Sequence, residues 1–431
     1  MKKLMPVIMA VLMVLSVYML FSERLEAKNS FETFVQQARE LGDTGVVMRS
    51  SKAYDDALAI KEDFDIEYER VEMFHKNGHF NSAMEYAEQL KEKYPKNVRS
   101  YELLLQLTRE KEDYDDFFKL VKESKKRKLS SETIDKMVAE VRYVYELGYS
   151  SFDDVKIGSG GFWAVKKKDM WGYADASGSF AISNKFKTAM PFIGTVAAVE
   201  EADGSWYYID TAGNKTLAPA VNGTITELGA YLELTAIAVD GKYGYYTNKY
   251  EHKFGSYDFA GNISDGLCAV KNEDVWQIMQ KTGEPLLTTE FVDVILDEKD
   301  VAVRNERLFV AEEEGKYYMI NKSGNKVSDS VYENAQLFLS KDPAAVQIDG
   351  KWGFVDTEGK IVIEPQYDDA LSFVNGFAAV CKDGQWGYIN TANEACVDFQ
   401  FDGALNFNES GVSFVCDGED WVPLKLFNTT Y

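Results

Sequence analysis

An aromatic residue, most often Trp followed by Gly, returns at nearly constant spacing through the last two thirds of this chain, and that period limits the possible folds severely. The landmarks are Trp171-Gly172, Trp206-Tyr207, Tyr243-Gly244, Trp276-Gln277, Tyr317-Tyr318, Trp352-Gly353, Trp386-Gly387 and Trp421-Val422. Successive intervals are 35, 37, 33, 41, 35, 34 and 35. A unit this short cannot bury a face alone, so it must stack on its neighbours in an array.

Other residues recur in phase. A turn pair stands just before the aromatic, as in Asp349-Gly350-Lys351-Trp352 and Asp383-Gly384-Gln385-Trp386, with Asp240-Gly241 and Asp203-Gly204 matching it. Asp followed by Gly supplies the positive φ angles of a tight hairpin. Four and seven residues after the aromatic come a polar residue and Gly, as in Asp175 and Gly178, Asp210 and Gly213, Asn321 and Gly324, Asp356 and Gly359. Here the side chain can bond its own backbone while Gly takes the left-handed position. Fifteen residues on stands a second aromatic: Phe186, Phe291, Tyr332, Tyr367 and Phe401. The unit reads as a small antiparallel meander, with Gly after Trp leaving room for close backbone approach.

With this phased unit in view, best seen from Val346 to Phe373, the region 151–431 resembles the WG-repeat family of bacterial proteins. The resemblance implies binding or scaffolding and brings no catalytic residues. Phe152-Asp153-Asp154-Val155 matches an element otherwise found after a W-G strand, whereas the sequence runs only ten residues beyond Trp421. The array thus begins with the piece its last repeat lacks. A closed, propeller-like ring would use that piece to complete one blade; an open β-solenoid is the alternative.

Residues 30–150 change to helix periodicity, with few Gly and only Pro95. Phe80-Asn81-Ser82-Ala83-Met84 and Tyr114-Asp115-Asp116-Phe117-Phe118 are offset by the period of tetratricopeptide repeats. Tyr54-Asp55-Asp56-Ala57-Leu58 is a third start, out of phase. Ala83, Tyr86-Ala87, Leu90 and Tyr94-Pro95 resemble the second half of such a repeat, although the Trp and Leu-Gly of its first helix are missing. The expectation is a set of tetratricopeptide-like α-hairpins; a generic helical hairpin array is the alternative. Ser131 can cap the helix that follows the basic run Lys125-Lys126-Arg127-Lys128.

Residues 1–24 read as a targeting segment. The uncharged run over 4–21 follows Lys2 and Lys3 and approaches the length of a bilayer span. The charge pattern favours a cytoplasmic N-terminus and an exported bulk. The reading taken is an uncleaved transmembrane signal-anchor helix in a bacterial cytoplasmic membrane; secretion after signal cleavage is the alternative, though Leu25 stands where cleavage before Lys28 would want a small residue. The whole is an α+β multidomain chain.

A net charge of -23 excludes a nucleic-acid partner, since phosphate binding needs clustered Lys and Arg. An apolar share of 45% supports a packed core. Cys268, Cys381, Cys396 and Cys416 lack the clustered spacing of a zinc site, and their disulfide state is open. His75 and His79 can share a helix face, but Gly78 intervenes and no Glu follows His75, so this is not a metalloprotease motif. The paired carboxylates Asp153-Asp154 and Asp368-Asp369 recur at a repeat landmark and read as turn or capping groups rather than a glycosidase pair. No catalytic, cofactor-binding or metal residues are assigned, and no cofactor. The expectation is a non-enzymatic, membrane-anchored scaffold with a protein partner. A lectin-like glycan binder is the alternative, and an envelope hydrolase subunit a lesser one.

Overall fold

The computed structural model describes residues 5–408 and 411–427. The chain divides into two compact units, Met1–Arg142 and Tyr143–Tyr431.

The first unit is helical: α1 Met5–Asp43, α2 Val47–Ile60, α3 Phe64–Lys76, α4 Phe80–Lys93, α5 Val98–Glu110, α6 Tyr114–Lys126 and α7 Glu132–Glu140. The starts of α3 and α5 are offset by the same interval as those of α4 and α6. Asp63, Asn97, Asp113 and Ser131 each accept a backbone N–H of the helix they precede, satisfying donors that a first turn leaves free. Ala83 and Ala87 are fully buried, which lets paired helices approach closely. Ion pairs join neighbours: Arg70 to Asp55 at 2.7 Å, and Lys93 to Glu67 at 2.8 Å.

α1 departs from the expected anchor. It runs unbroken from the apolar stretch into Glu23, Arg24, Glu26 and Lys28, forming one element of 39 residues. Residues 1–4, the side chains over 5–12 and several more up to residue 23 lie outside the described part. Among the described residues no helix is long and apolar enough to cross a membrane. The transmembrane helix expected over 4–21, and the single-pass membrane localisation built on it, are therefore corrected.

The second unit is an eight-bladed β-propeller. Seven antiparallel sheets follow in chain order: residues 154–186 (blade 1), 188–217 (blade 2), 225–257 (blade 3), 259–280 (blade 4), 293–321 (blade 5), 334–367 (blade 6) and 369–401 (blade 7). Blade 8 is built from both ends of the unit. Gly403–Ala404, Val412–Asp417 and Asp420–Leu426 supply its first three strands, and Tyr145–Leu147 pairs antiparallel with the last of them. Phe152 then bridges Trp421, donating its N–H to the Trp421 carbonyl at 3.0 Å and accepting the Trp421 N–H at 2.9 Å. Elsewhere in the ring the same pairing joins the W-G aromatic to the aromatic fifteen residues on, as in Trp171 with Phe186 and Trp352 with Tyr367. Phe152 is that second aromatic for blade 8.

Burial follows the ring. One apolar cluster joins blades 1 and 2 through Trp171, Phe186, Phe192 and Tyr207, and others link each later pair in turn. A further cluster closes the circle, packing Phe152, Val155, Trp163 and Val165 of the first blade region against Val412 and Phe414 of the last. This excludes the open solenoid.

The W-G signature has a local cause. In blade 6 Trp352 pairs with Tyr367, but Phe354 pairs with Ile363, so the outer strand gains two residues in a bulge opposite Gly353. A Cβ on Gly353 would stand 2.6 Å from the Ile363 carbonyl oxygen and 2.7 Å from the Pro365 nitrogen, both backbone atoms. Gly172 and Gly387 face the same approach at 2.6 Å.

Candidate functional site

Two surfaces of the propeller have chemistry beyond packing. The first is the face that carries the hairpins between second and third strands. In blades 6 and 7 these turns place Asp349 and Gly350, then Asp383 and Gly384, at positive φ, the mirror-image turn that suits twisted strands. In blades 1, 4, 6, 7 and 8 the residue that opens the inner strand caps the turn of its own blade. Asp153 accepts the Lys168 N–H, Asp258 that of Glu273, Glu333 that of Gly350, Asp368 that of Gly384 and Asp402 that of Gly418. Lys242 and Lys351 hold Asp258 and Asp368 across to the next blade. These contacts hold Asp258 and Asp368 below the usual carboxylate range, the lysine bond being the largest cause and the turn N–H the next. Asp154 and Asp369 accept the N–H of the residue that follows each of them. The paired carboxylates are thus spent on turns and strand starts.

Blade 5 puts an apolar residue there instead. Val292 stands where blades 1, 4, 6, 7 and 8 place the capping acid, and 47% of it is exposed, whereas blades 2 and 3 carry the polar Lys187 and Thr224 there. Its hairpin carries Glu312-Glu313-Glu314, with Lys316 on Glu313 at 2.7 Å. Val275 and Val331, also exposed, lie at the same end of blades 4 and 5, beside Glu273-Asp274 and Glu333. Charge is segregated along the chain as well: residues 1–142 hold 24 basic and 26 acidic side chains, and 143–431 hold 23 and 44.

The second surface is the central channel, entered from the opposite face. The longest interval between landmarks, from Trp276 to Tyr317, arises here. Thirteen residue steps separate Val294 from Arg307 in blade 5, against seven from Ala370 to Phe377 in blade 7. The added loop turns inward. Asp297 holds it, accepting the N–H groups of Lys299 and Val301 on one oxygen and the Arg304 guanidinium at 2.8 and 2.6 Å on the other. Glu298 reaches blade 1 and accepts the Ile157 N–H at 2.9 Å. Buried Asn262 of blade 4 donates its backbone N–H to the Asp300 carbonyl and its side-chain amide to the Lys299 carbonyl, while its oxygen accepts from Ala230 of blade 3. The loop therefore ties blade 5 to blades 1 and 4, and Asn262 carries the contact on to blade 3.

Confinement sets the charges. Burial lowers the Lys156 ammonium, which donates to the Ala189 carbonyl at 3.0 Å and lies 4.7 Å from the Trp171 ring centre. Burial lowers Lys299 too, and raises the Glu298 carboxyl. Glu298 is open to channel water yet ringed by protein, so water screens it only in part. Burial, then Glu227 and Asp297, push Asp300 up to about 6. A carboxyl raised in the folded state binds its proton more tightly there than in the unfolded chain. Its cost is therefore absent at low pH, grows as pH rises from about 4 to 6, and is complete above that. Asp300→Asn is expected to stabilise the protein by about 1 kcal/mol at pH 7.5, below the full value of the shift because channel water reaches the group. No gain is expected at pH 4, and chemical denaturation at the two pH values measures the difference. A gain of equal size at both would show that charge is not the cause.

The remaining sequence landmarks fall elsewhere. Cys268, Cys381 and Cys396 are buried and Cys416 half-buried. His75 meets Glu110 at 2.5 Å, whereas His79 opens α4, so the two serve separate contacts. Trp171, Trp206, Trp276 and Trp352 are each less than a tenth exposed, which removes them as stacking platforms for a sugar. Trp386 and Trp421 are half-buried.

No curated protein matches the chain in sequence. Solved structures similar to it include BamB from Moraxella catarrhalis (10% identity, TM-score 0.39, covering 65% of this chain and 95% of that one). Hsv2p from Kluyveromyces lactis is similar at 9% identity and TM-score 0.38, over 56% of this chain and 92% of that one. A eukaryotic initiation factor is similar at 13% identity and TM-score 0.44, over 64% and 86%. The WG containing repeat family matches at residues 256–276, 319–352, 352–386 and 386–421. The last two spans each run from one W-G tryptophan to the next, so the sequence repeat is staggered against the blade. The C-terminal region of the propeller thus carries WG containing repeats.

Proposed function

We propose that this chain is a non-enzymatic scaffold whose propeller binds a basic, partly apolar segment of a protein partner on the face bearing Glu312-Glu313-Glu314. The observation that supports it most is Val292. An exposed apolar residue replaces the capping acid there, between acidic hairpins, with Val275 and Val331 near it. Apolar contacts ringed by charge of one sign suit a partner of the opposite sign. The helical unit, with its repeated helix offset, adds a tetratricopeptide-like surface of the extended kind that repeat proteins use for peptides. A hydrolase reading gains nothing from the paired carboxylates, which are engaged by backbone N–H groups.

The test uses full-length protein and a synthetic amphipathic peptide of alternating Lys and Leu blocks. Wild type is expected to bind it, and added salt to weaken binding. Replacing Glu312, Glu313 and Glu314 by Lys should weaken binding roughly tenfold or more, and Val292→Asp should abolish the apolar contribution that survives high salt. Equal affinity for the triple variant and wild type would remove this face from the proposal.

A further inference from the structure

The channel holds a cavity that the acidic face does not explain. It measures about 440 Å³, within the range of small-molecule sites, and is walled by apolar side chains including Ile157, Leu337, Leu339 and Leu371. Among the described residues, the only charged ones lining it are Asp297 and Glu298. Asp297 is neutralised by the two bonds from Arg304, which leaves Glu298 as its effective charge. Asn406 also lines the cavity. It is 7% exposed, and its Oδ1 is buried without a hydrogen-bond partner.

An unpaired buried acceptor costs roughly 1–3 kcal/mol, and a ligand donor would recover it. The missing group is therefore an N–H or O–H donor. Lys299 and Arg304 line the adjoining space, which shares Glu298 and Asn406 with this cavity; Arg304 is held by Asp297, so the Glu298 carboxylate is the group that selects a cation. The leucine-rich wall selects a hydrocarbon body. We infer that the channel cavity binds a small aliphatic amine, its ammonium between Glu298 and Asn406 Oδ1 and its alkyl chain along Leu337, Leu339 and Leu371. The loop that supplies Glu298 is the blade 5 insertion, so the same added residues close the channel and charge the site. This inference is independent of the acidic face.

Calorimetric titration of the full chain with n-hexylammonium chloride tests it, with sodium hexanoate and 1-hexanol as controls for charge and chain. Saturable binding of the ammonium is expected, with both controls weaker by roughly tenfold or more. Glu298→Gln keeps an acceptor for the Ile157 N–H, so the loop stays in place while the charge is lost. It should weaken the ammonium by a similar factor and leave hexanol unchanged. Asn406→Leu should weaken the ammonium and hexanol alike, since it removes the acceptor that either donor uses, with circular dichroism checking its fold. Absence of saturable binding by wild type, equal affinity for hexanoate, or an unchanged affinity in Glu298→Gln overturns the assignment.

Discussion

Phe152→Ala is expected to destabilise the whole propeller by about 3 to 5 kcal/mol, the usual cost of deleting a buried Phe side chain. The loss should appear first around Trp421, at the far end of the unit in sequence. Phe152 is 1% exposed and packs edge-on against Phe180 and Phe414, one from blade 1 and one from blade 8. Its backbone exchanges two hydrogen bonds with Trp421. A ring has no free end, so opening this seam exposes strand edges in both blades and removes the neighbour on which each packs. An open array would instead lose stability only near the change, because each repeat there answers to its nearest neighbours alone. Hydrogen exchange decides between the two. Loss of protection that includes Val412–Asp417 and Asp420–Leu426 is the expected result. Loss confined to the strands around Trp171 would mean that the seam does not hold the ring. Removing Tyr145–Leu147 as well should enlarge the effect, since Gly148 and that strand supply the backbone bonds on the outer edge of residues 423–426.

Phe152 was legible in the sequence because the repeat is so regular. A residue that looks like the aromatic after a W-G strand, placed before the first such strand, can only serve a repeat that lacks one. The turns were legible for a similar reason, since Asp-Gly pairs and Asp-x-x-Gly have one local geometry each. The partner strand Tyr145–Leu147 was not. It is very short, is flanked by neither Asp-Gly nor Asp-x-x-Gly, and takes its pairing from Leu424 to Leu426 at the far end of the chain. An outer strand without its own landmark follows from tertiary contacts alone.

The channel was hidden differently. The long interval before Tyr317 was plain, but length does not tell whether a loop points outward or inward. Asp297-Glu298-Lys299-Asp300 has the composition of a solvated turn, and it is drawn inward by Ile157 of blade 1 and Asn262 of the adjoining blade 4. The apolar run near the N-terminus misled for the opposite reason, because its composition alone resembles a span. As described, it belongs to a helix that continues into charged sequence.

Trp352→Ala is expected to cost about 3 to 5 kcal/mol, and Trp386→Ala less. Both occupy the same place in their repeats, but their surroundings differ. Trp352 is 7% exposed and sits in a cluster with Tyr367, Ala370 and Val380, which spans blades 6 and 7. Trp386 is half-buried and flanks its cluster, although it too pairs with the second aromatic, Phe401. The cavity left by Trp352 could be filled only by moving strands held at the Gly353 bulge, where backbone atoms already lie too close for a Cβ. Collapse is therefore blocked, and the cavity cost stays near its full value. Around Trp386 water can enter the space the ring leaves, which limits the loss to the surface it buried. Denaturant unfolding of the two variants compares them directly. Equal losses would mean that repeat position, not local burial, sets the stability of each blade.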